Sequence, residues 1–203
     1  MVQYKKDDIK NKIDAAALRI LSQKGYERTT ISDIAKDADI SVGNIYRYYK
    51  SKEDIFNSLV PESVIDHFKQ TLIKKVSSAR DVVPDGVEKA GMFSLMNEEF
   101  IDFMVSNRER MTILFKGAKG TKYEQFKEEV IKYLIKVVRE NYSGKDNQVV
   151  FNIENEDVIT MIFTKLIEMM IDTLGLHNSE SEIKASLKII NTYHLFGVTD
   201  LFK

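Results

Sequence analysis

The 203 residues, 43% hydrophobic and 30% charged, have the composition of a soluble globular chain long enough to bury a core in one or two domains. No cysteine is present, which excludes a disulfide framework and a thiolate zinc site. A net charge of −1 argues against general nucleic-acid binding, yet residues 1–52 hold 11 Lys and Arg against 7 Asp and Glu, and the remainder 19 against 24.

Ile9, Ile13, Ala16, Ile20 and Leu21 recur at the helical period and predict a first helix from Lys5 to Lys24. Gly25 follows as its stop, and Tyr26 is expected to fold back as an apolar plug. Lys5 and Lys6 either touch a phosphate or the minor groove, or are solvated. Thr30 precedes the apolar pattern of Ile31, Ile34, Ala35 and Ala38, and Asp33 stands three residues on, close to a capping box. Asp39 sits where a tight turn needs a left-handed residue. Ile40 would fill the space between two helices, and Ser41 is a strong N-cap for a run from Val42 to Tyr49. Ile45 and Tyr49, four apart, share the inward face of that run. Val42, Gly43, Asn44, Tyr46, Arg47 and Tyr48 are left at the outside or the rim. Small, amide, aromatic and cationic groups on an exposed helix suit a DNA major groove.

The pattern Thr-Thr-Ile-x-x-Ile-Ala-x-x-Ala-x-Ile-Ser-x-Gly-x-Ile-Tyr-x-Tyr-Tyr-x-Ser-Lys-Glu, from Thr29 to Glu53, is similar to the helix-turn-helix of TetR-type transcriptional regulators. The likeness runs back to Leu21 and forward to Phe56, about the first quarter of the chain. Asp39 departs from it, since the family usually has Gly there. The resemblance implies an all-α fold of about nine helices. A DNA-binding domain at 1–52 would be followed by an effector-binding and dimerisation domain at 53–203. It assigns phosphate contacts to Thr30, Ser41, Tyr46, Tyr48 and Lys52, and base-edge contacts to Val42, Gly43 and Asn44. The chemistry agrees in part. Asn44 can bond adenine through two hydrogen bonds, Val42 can touch a thymine methyl, and Gly43 lets a helix approach closely. Arg47 could reach guanine or phosphate, or face solvent.

From Lys52 an apolar helical stripe continues to about Ser77. Pro61 interrupts it, either as a kink or as the start of a new helix. Ser77 to Gly86 is expected as a loop, Val87 to Val105 as a helix, and Ser106 to Phe115 as a short one. A loop of Lys116 to Thr121 follows. Thr121 with Glu124 then predicts a second capping box opening a helix to Asn141. After a polar loop from Ser143 to Asn155, two last helices are expected over Asp157–Leu176 and from Ser179 to about Phe196.

Both of these last helices carry apolar residues on more than one face, which signals an interface. The resemblance implies dimerisation through them. Ile162, Leu166, Met169, Met170, Ile183, Leu187, Ile190 and Tyr193 are the candidate contacts. The middle helices are rich in Met and aromatic side chains. Phe93, Met96, Phe100, Met104, Met111, Phe115, Tyr123, Phe126 and Phe163 either line a pocket for an apolar or aromatic small-molecule effector or simply fill a core.

His67, His177 and His194 are far apart and none stands in a Glu-x-x-His pairing, so neither a metal nor another cofactor is expected and the chain does not read as an enzyme. No apolar run is long enough for a bilayer, and residues 1–8 do not resemble a signal peptide, so a cytoplasmic location is expected with no membrane partner. The function expected is that of a ligand-responsive regulator, most simply a repressor. It would bind a palindromic double-stranded operator as a homodimer and release it when an effector enters. The alternative is an adaptor or small-molecule-binding protein of the same fold that does not touch DNA.

Overall fold

The computed structural model describes residues 2–78, 98–142 and 156–201, with side chains over 7–72, 98–137 and 156–194. Every described element is helical, and no strand occurs among the described residues. In chain order the helices are α1 (Val2–Lys24), α2 (Ile31–Asp37), α3 (Val42–Ile45), α4 (Lys52–Leu59), α5 (Glu62–Ser78), α6 (Glu98–Ser106), α7 (Arg108–Thr112), a π-helical turn (Ile113–Gly117), α8 (Phe126–Tyr142), α9 (Glu156–Leu176) and α10 (Glu180–Leu201). They gather into two compact units. One joins Met1–Ile65 to Glu109–Lys127, and the other joins Asp66–Arg108 to Glu128–Lys203. This division by packing is a different matter from the division by role at 52/53.

The first unit is built by caps and turns. Gly25 ends α1 with φ +76°, and its N–H donates to Leu21 O at 2.9 Å. A glycine is needed here for a second reason, because a Cβ would lie 3.3 Å from Gly117 Cα. The chain of the π-helical turn passes that close, and Tyr26 N–H donates to Gly117 O at 2.8 Å. Tyr26 is half-buried and meets Phe56 edge-on at 5.3 Å between ring centres. Thr30 opens α2 with the expected reciprocal pair: its hydroxyl accepts from Asp33 N–H, and Asp33 accepts from Thr30 N–H. Asp39 takes φ 54° in the turn.

Ser41 caps α3 by accepting from Asn44 N–H at 3.3 Å. The α-helix then covers only Val42–Ile45, not the run to Tyr49 that the sequence suggests. Beyond Ile45 the chain tightens into turns, with Arg47 N–H donating to Asn44 O and Tyr48 N–H to Ile45 O. Gly43, Asn44 and three tyrosines are weak helix formers, so side-chain burial decides the geometry of the last turn. Pro61 breaks the next stripe instead of kinking it. Val60 leaves the helical region at φ −119°, ψ 66°, and α5 begins at Glu62. The carbonyl of Leu59 at this break takes a bond from Arg110 Nε at 2.7 Å.

The segment 108–126 departs most from expectation. The helix expected through Phe115 ends at Thr112 and becomes a π-helical turn that includes Gly117, a residue expected in a loop. Gly117 fits because a Cβ would meet Gly25 Cα at 3.1 Å and Leu21 O at 3.3 Å. The second capping box does not form. Thr121 Oγ1 accepts from Tyr123 N–H, Glu124 accepts from Gly120 N–H, and α8 starts only at Phe126. The intervening residues are held as turns because Phe126, 2% exposed, packs edge-on against Phe115 at 5.2 Å.

The second unit relies on long amphipathic helices. α9 and α10 pack on each other, and α6 packs on α10. Lys184–Asp102 and Lys188–Glu98 bridge that second pair at 2.7 and 2.6 Å. The last helix runs on to Leu201, past the expected end near Phe196. Residues 87–97 of the helix expected from Val87, and the loop expected over 143–155, lie outside the described residues.

Candidate nucleic-acid interface

The outward face of α3 is fixed from beneath. Ile45 is fully buried and Tyr49 nearly so. The Tyr49 hydroxyl donates to the Asp14 carboxylate on α1 and lies 3.3 Å from Ser58 Oγ on α4. Lys10 joins this cluster through Asp14 at 2.7 Å. Asp14 and then Tyr49 raise the Lys10 pKa above the usual range, while burial and then the Asp14 carboxylate raise that of Tyr49. Two helices, α1 and α4, thus hold one aromatic ring, and that ring anchors the end of the turn.

What remains outside is the set the sequence singles out. Val42 is 37% and Tyr46 55% exposed, and Gly43 and Arg47 are exposed too. Gly43 has only Ser41 Oγ, at 3.9 Å, near the position of a Cβ. Asn44 and Tyr48 are half-buried at the rim. Thr30 and Ser41 are exposed, with their hydroxyls used as caps. Beside Thr30, Lys24 and then Thr30 itself pull the Asp33 carboxyl down to about 2, which keeps it charged at the start of α2. Arg19–Asp37 at 2.6 Å and Lys24–Asp33 at 2.9 Å tie α1 to α2. Lys52 is placed differently from the rest. Its ammonium donates to Tyr26 O at 2.7 Å and Thr29 O at 2.8 Å, and lies 4.2 Å over the Tyr26 ring. The side chains of Lys5 and Lys6 lie outside the described residues.

Two elements of this arrangement are not foreseen from the sequence. One is the Asp14–Tyr49–Ser58 cluster, whose members are 35 and 9 residues apart. The other is the return of residues 109–127 to the first unit, for which the Gly25 and Gly117 pair is the single local trace.

The candidate effector residues fall in both units. Phe100, Met104 and Phe163 are buried in the second unit, while Met111, Phe115 and Phe126 are buried and Tyr123 half-buried in the first. Phe93 and Met96 lie outside the described residues. In the first unit these rings are core: Tyr123 faces Phe56 at 6.3 Å and Phe126 at 6.5 Å. Apolar character does not separate a core residue from a pocket residue.

The candidate interface residues also divide. Leu166, Met170, Ile183 and Leu187 are buried within the chain's own packing; Ile162, Met169 and Ile190 are half-buried. Tyr193 is exposed at 71%, and so is Ile189 one turn away at 70%. His194 is buried, 5.7 Å from Phe163 between ring centres, with no hydrogen-bond partner at Nε2. Burial lowers its pKa to about 4. His177 lies 3.1 Å from Ser186 Oγ, and His67 stacks on Phe103 at 4.8 Å. Among the described residues no group of three His, Cys, Asp or Glu could hold a metal, and no helix is long and apolar enough to cross a membrane.

Comparison with known proteins bears on the first unit. Residues 13–59 match the family model described as bacterial regulatory proteins, tetR family. The HTH-type transcriptional regulator HbdR of Aromatoleum sp. is 34% identical over 70 residues, 34% of this chain and 30% of that protein. The Staphylococcus epidermidis biofilm operon icaADBC HTH-type negative transcriptional regulator IcaR is 35% identical over 66 residues, 32% of this chain and 35% of that one. The matched region thus spans about a third of the length of these curated relatives. Over nearly the whole chain the fold is similar to the crystal structure of a TetR family transcriptional regulator from Chloroflexus aurantiacus. The TM-score is 0.60 at 16% identity, covering 97% of this chain and 92% of the other. Residues 13–59 thus carry the helix-turn-helix of the tetR family of bacterial regulatory proteins.

Proposed function

We propose that the chain is a ligand-responsive repressor that reads a palindromic operator as a homodimer. The observation that carries this is the one-turn helix α3. Its base is locked by Ile45 and Tyr49, and Val42, Gly43, Tyr46 and Arg47 project outward with Asn44 at the rim. In this reading residues 1–52 meet DNA and 53–203 bind effector and partner. Asn44 and Val42 contact base edges, Gly43 permits close approach, and Tyr46, Tyr48, Thr30 and Ser41 contact phosphates. Arg47 reaches a guanine or a phosphate. The exposed face of α10 around Ile189 and Tyr193 pairs with its copy, which sets two reading helices about 34 Å apart, one DNA turn. The named role of IcaR as a negative regulator favours repression. An effector enters the second unit and releases DNA only if it prefers a conformation that fits the operator poorly.

Selection from random duplexes tests the reading, with a palindromic consensus as the expected result. Tyr46→Ala then weakens binding to all sequences, and Asn44→Ala costs about 1–3 kcal/mol at one base pair of each half-site. A protein with no preference among duplexes at low ionic strength would instead be an adaptor of the same fold.

A further inference from the structure

Lys52 opens α4 at the edge of the proposed DNA face, where its charge invites the role of a phosphate ligand. The geometry points to another role, one that rests on the DNA reading above: Lys52 is a positioning residue that holds the loop between α1 and α2, not a residue that touches the duplex.

Gly25 N–H is bonded to Leu21 O, and Gly25 O accepts from the Thr29 hydroxyl at 2.7 Å. Tyr26 N–H is bonded to Gly117 O, and Thr29 N–H to Tyr26 O at 3.2 Å. The carbonyls of Tyr26 and Thr29 take the ammonium of Lys52, 26 and 23 residues further along the chain. An ammonium has three N–H donors, and two are spent here. The charge also lies over the Tyr26 ring, which is itself braced by Phe56. Thr29 is 1% exposed, so its carbonyl has no ready supply of water. Swinging the side chain to a phosphate would break two charge-assisted bonds, leaving Tyr26 O with Thr29 N–H and taking from Thr29 O the ammonium that it accepts from. Thr30, the residue that opens α2 toward the proposed duplex, follows Thr29 directly. Lys52 therefore sets where α2 begins.

The two roles differ in salt dependence. Each lost phosphate contact lowers the slope of log K against log salt by about 0.9, whereas a residue that only places other contacts leaves it unchanged. The experiment uses the full chain and a labelled 24-bp duplex of mixed sequence, titrated from 50 to 200 mM salt, with backbone amide exchange followed in parallel. For Lys52→Met the expected result is affinity weaker by about tenfold at every salt concentration, an unchanged slope, and faster exchange over residues 25–30. Lys52→Arg, which keeps charge and paired donors, restores both affinity and protection. Lys52→Gln replaces Lys52→Met if the latter does not fold. Arg47→Met, on the exposed face, is the control expected to lower the slope if Arg47 meets a phosphate. A slope lowered in Lys52→Met, or exchange unchanged over 25–30, overturns the positioning role and leaves the DNA reading intact. A wild-type chain that ignores the duplex at 50 mM salt overturns both.

Discussion

The two units of this molecule start and stop their helices by different means. In the first, α1 stops at Gly25, Asp39 makes the turn, and each short helix that follows opens on a hydroxyl cap: Thr30 before α2, Ser41 before α3 and Ser51 before α4. The Tyr49 hydroxyl on the half-buried Asp14 carboxylate, and ion pairs from α1 to α2, then pin those helices to one another. In the second, α9 and α10 run for 21 and 22 residues and meet along stripes of Ile, Leu and Met. Polar bonds between helices there include the exposed pairs Lys184–Asp102 and Lys188–Glu98, which water screens. Small helices bury too little area to specify their own angles, so directional bonds must do so. Long helices bury enough area to stay together, and area alone fixes direction loosely.

The largest test of this contrast concerns Phe56, 1% exposed and in ring contact with both Tyr26 and Tyr123. Phe56→Ala should cost about 3–5 kcal/mol. Because residues 1–65 and 109–127 share one core, amide protection should fall in both segments together. Loss confined to 1–65 would show that the returning segment is not part of that core.

The second test concerns the one buried polar group of the second unit left without a partner, His194 Nε2, among the described residues. Its pKa falls from about 6.5 in the unfolded chain to about 4 in the folded one. The unfolded state therefore binds the extra proton first, and stability drops as pH falls from about 6.5 to about 4. The loss should be on the order of 3 kcal/mol by pH 4. His194→Phe should remove that part of the pH dependence and raise stability at pH 7, since an unpaired buried polar atom is replaced by an apolar ring. A variant with the same pH profile as the wild type would place the acid sensitivity elsewhere.

The smallest effect is expected at the turn. Asp39 holds φ 54°, a conformation that costs a non-glycine residue roughly 1–2 kcal/mol, partly offset by the greater chain entropy of glycine when unfolded. Asp39→Gly should therefore raise stability by about 0.5 kcal/mol in chemical denaturation. A loss instead would mean that the Asp39 side chain makes a contribution of its own.

The amino-acid order by itself determined the all-helical character, the Thr30 and Ser41 caps, the left-handed Asp39, the stop at Gly25 and the residues exposed on α3. Each of these is settled within about four residues, by a hydroxyl reaching the next free N–H or by a backbone angle that few residues accept. The tertiary structure alone decided that α3 ends at Ile45, that Pro61 breaks instead of bends, that Lys52 is tied to Tyr26 and Thr29, and that 109–127 joins the first unit. It also decided which apolar residues of the last two helices are spent inside the chain. These outcomes depend on partners far along the chain, 23 residues for Lys52 and Thr29 and 92 for Gly25 and Gly117. An apolar or cationic side chain records that it needs company, but nothing in its immediate neighbours records whose.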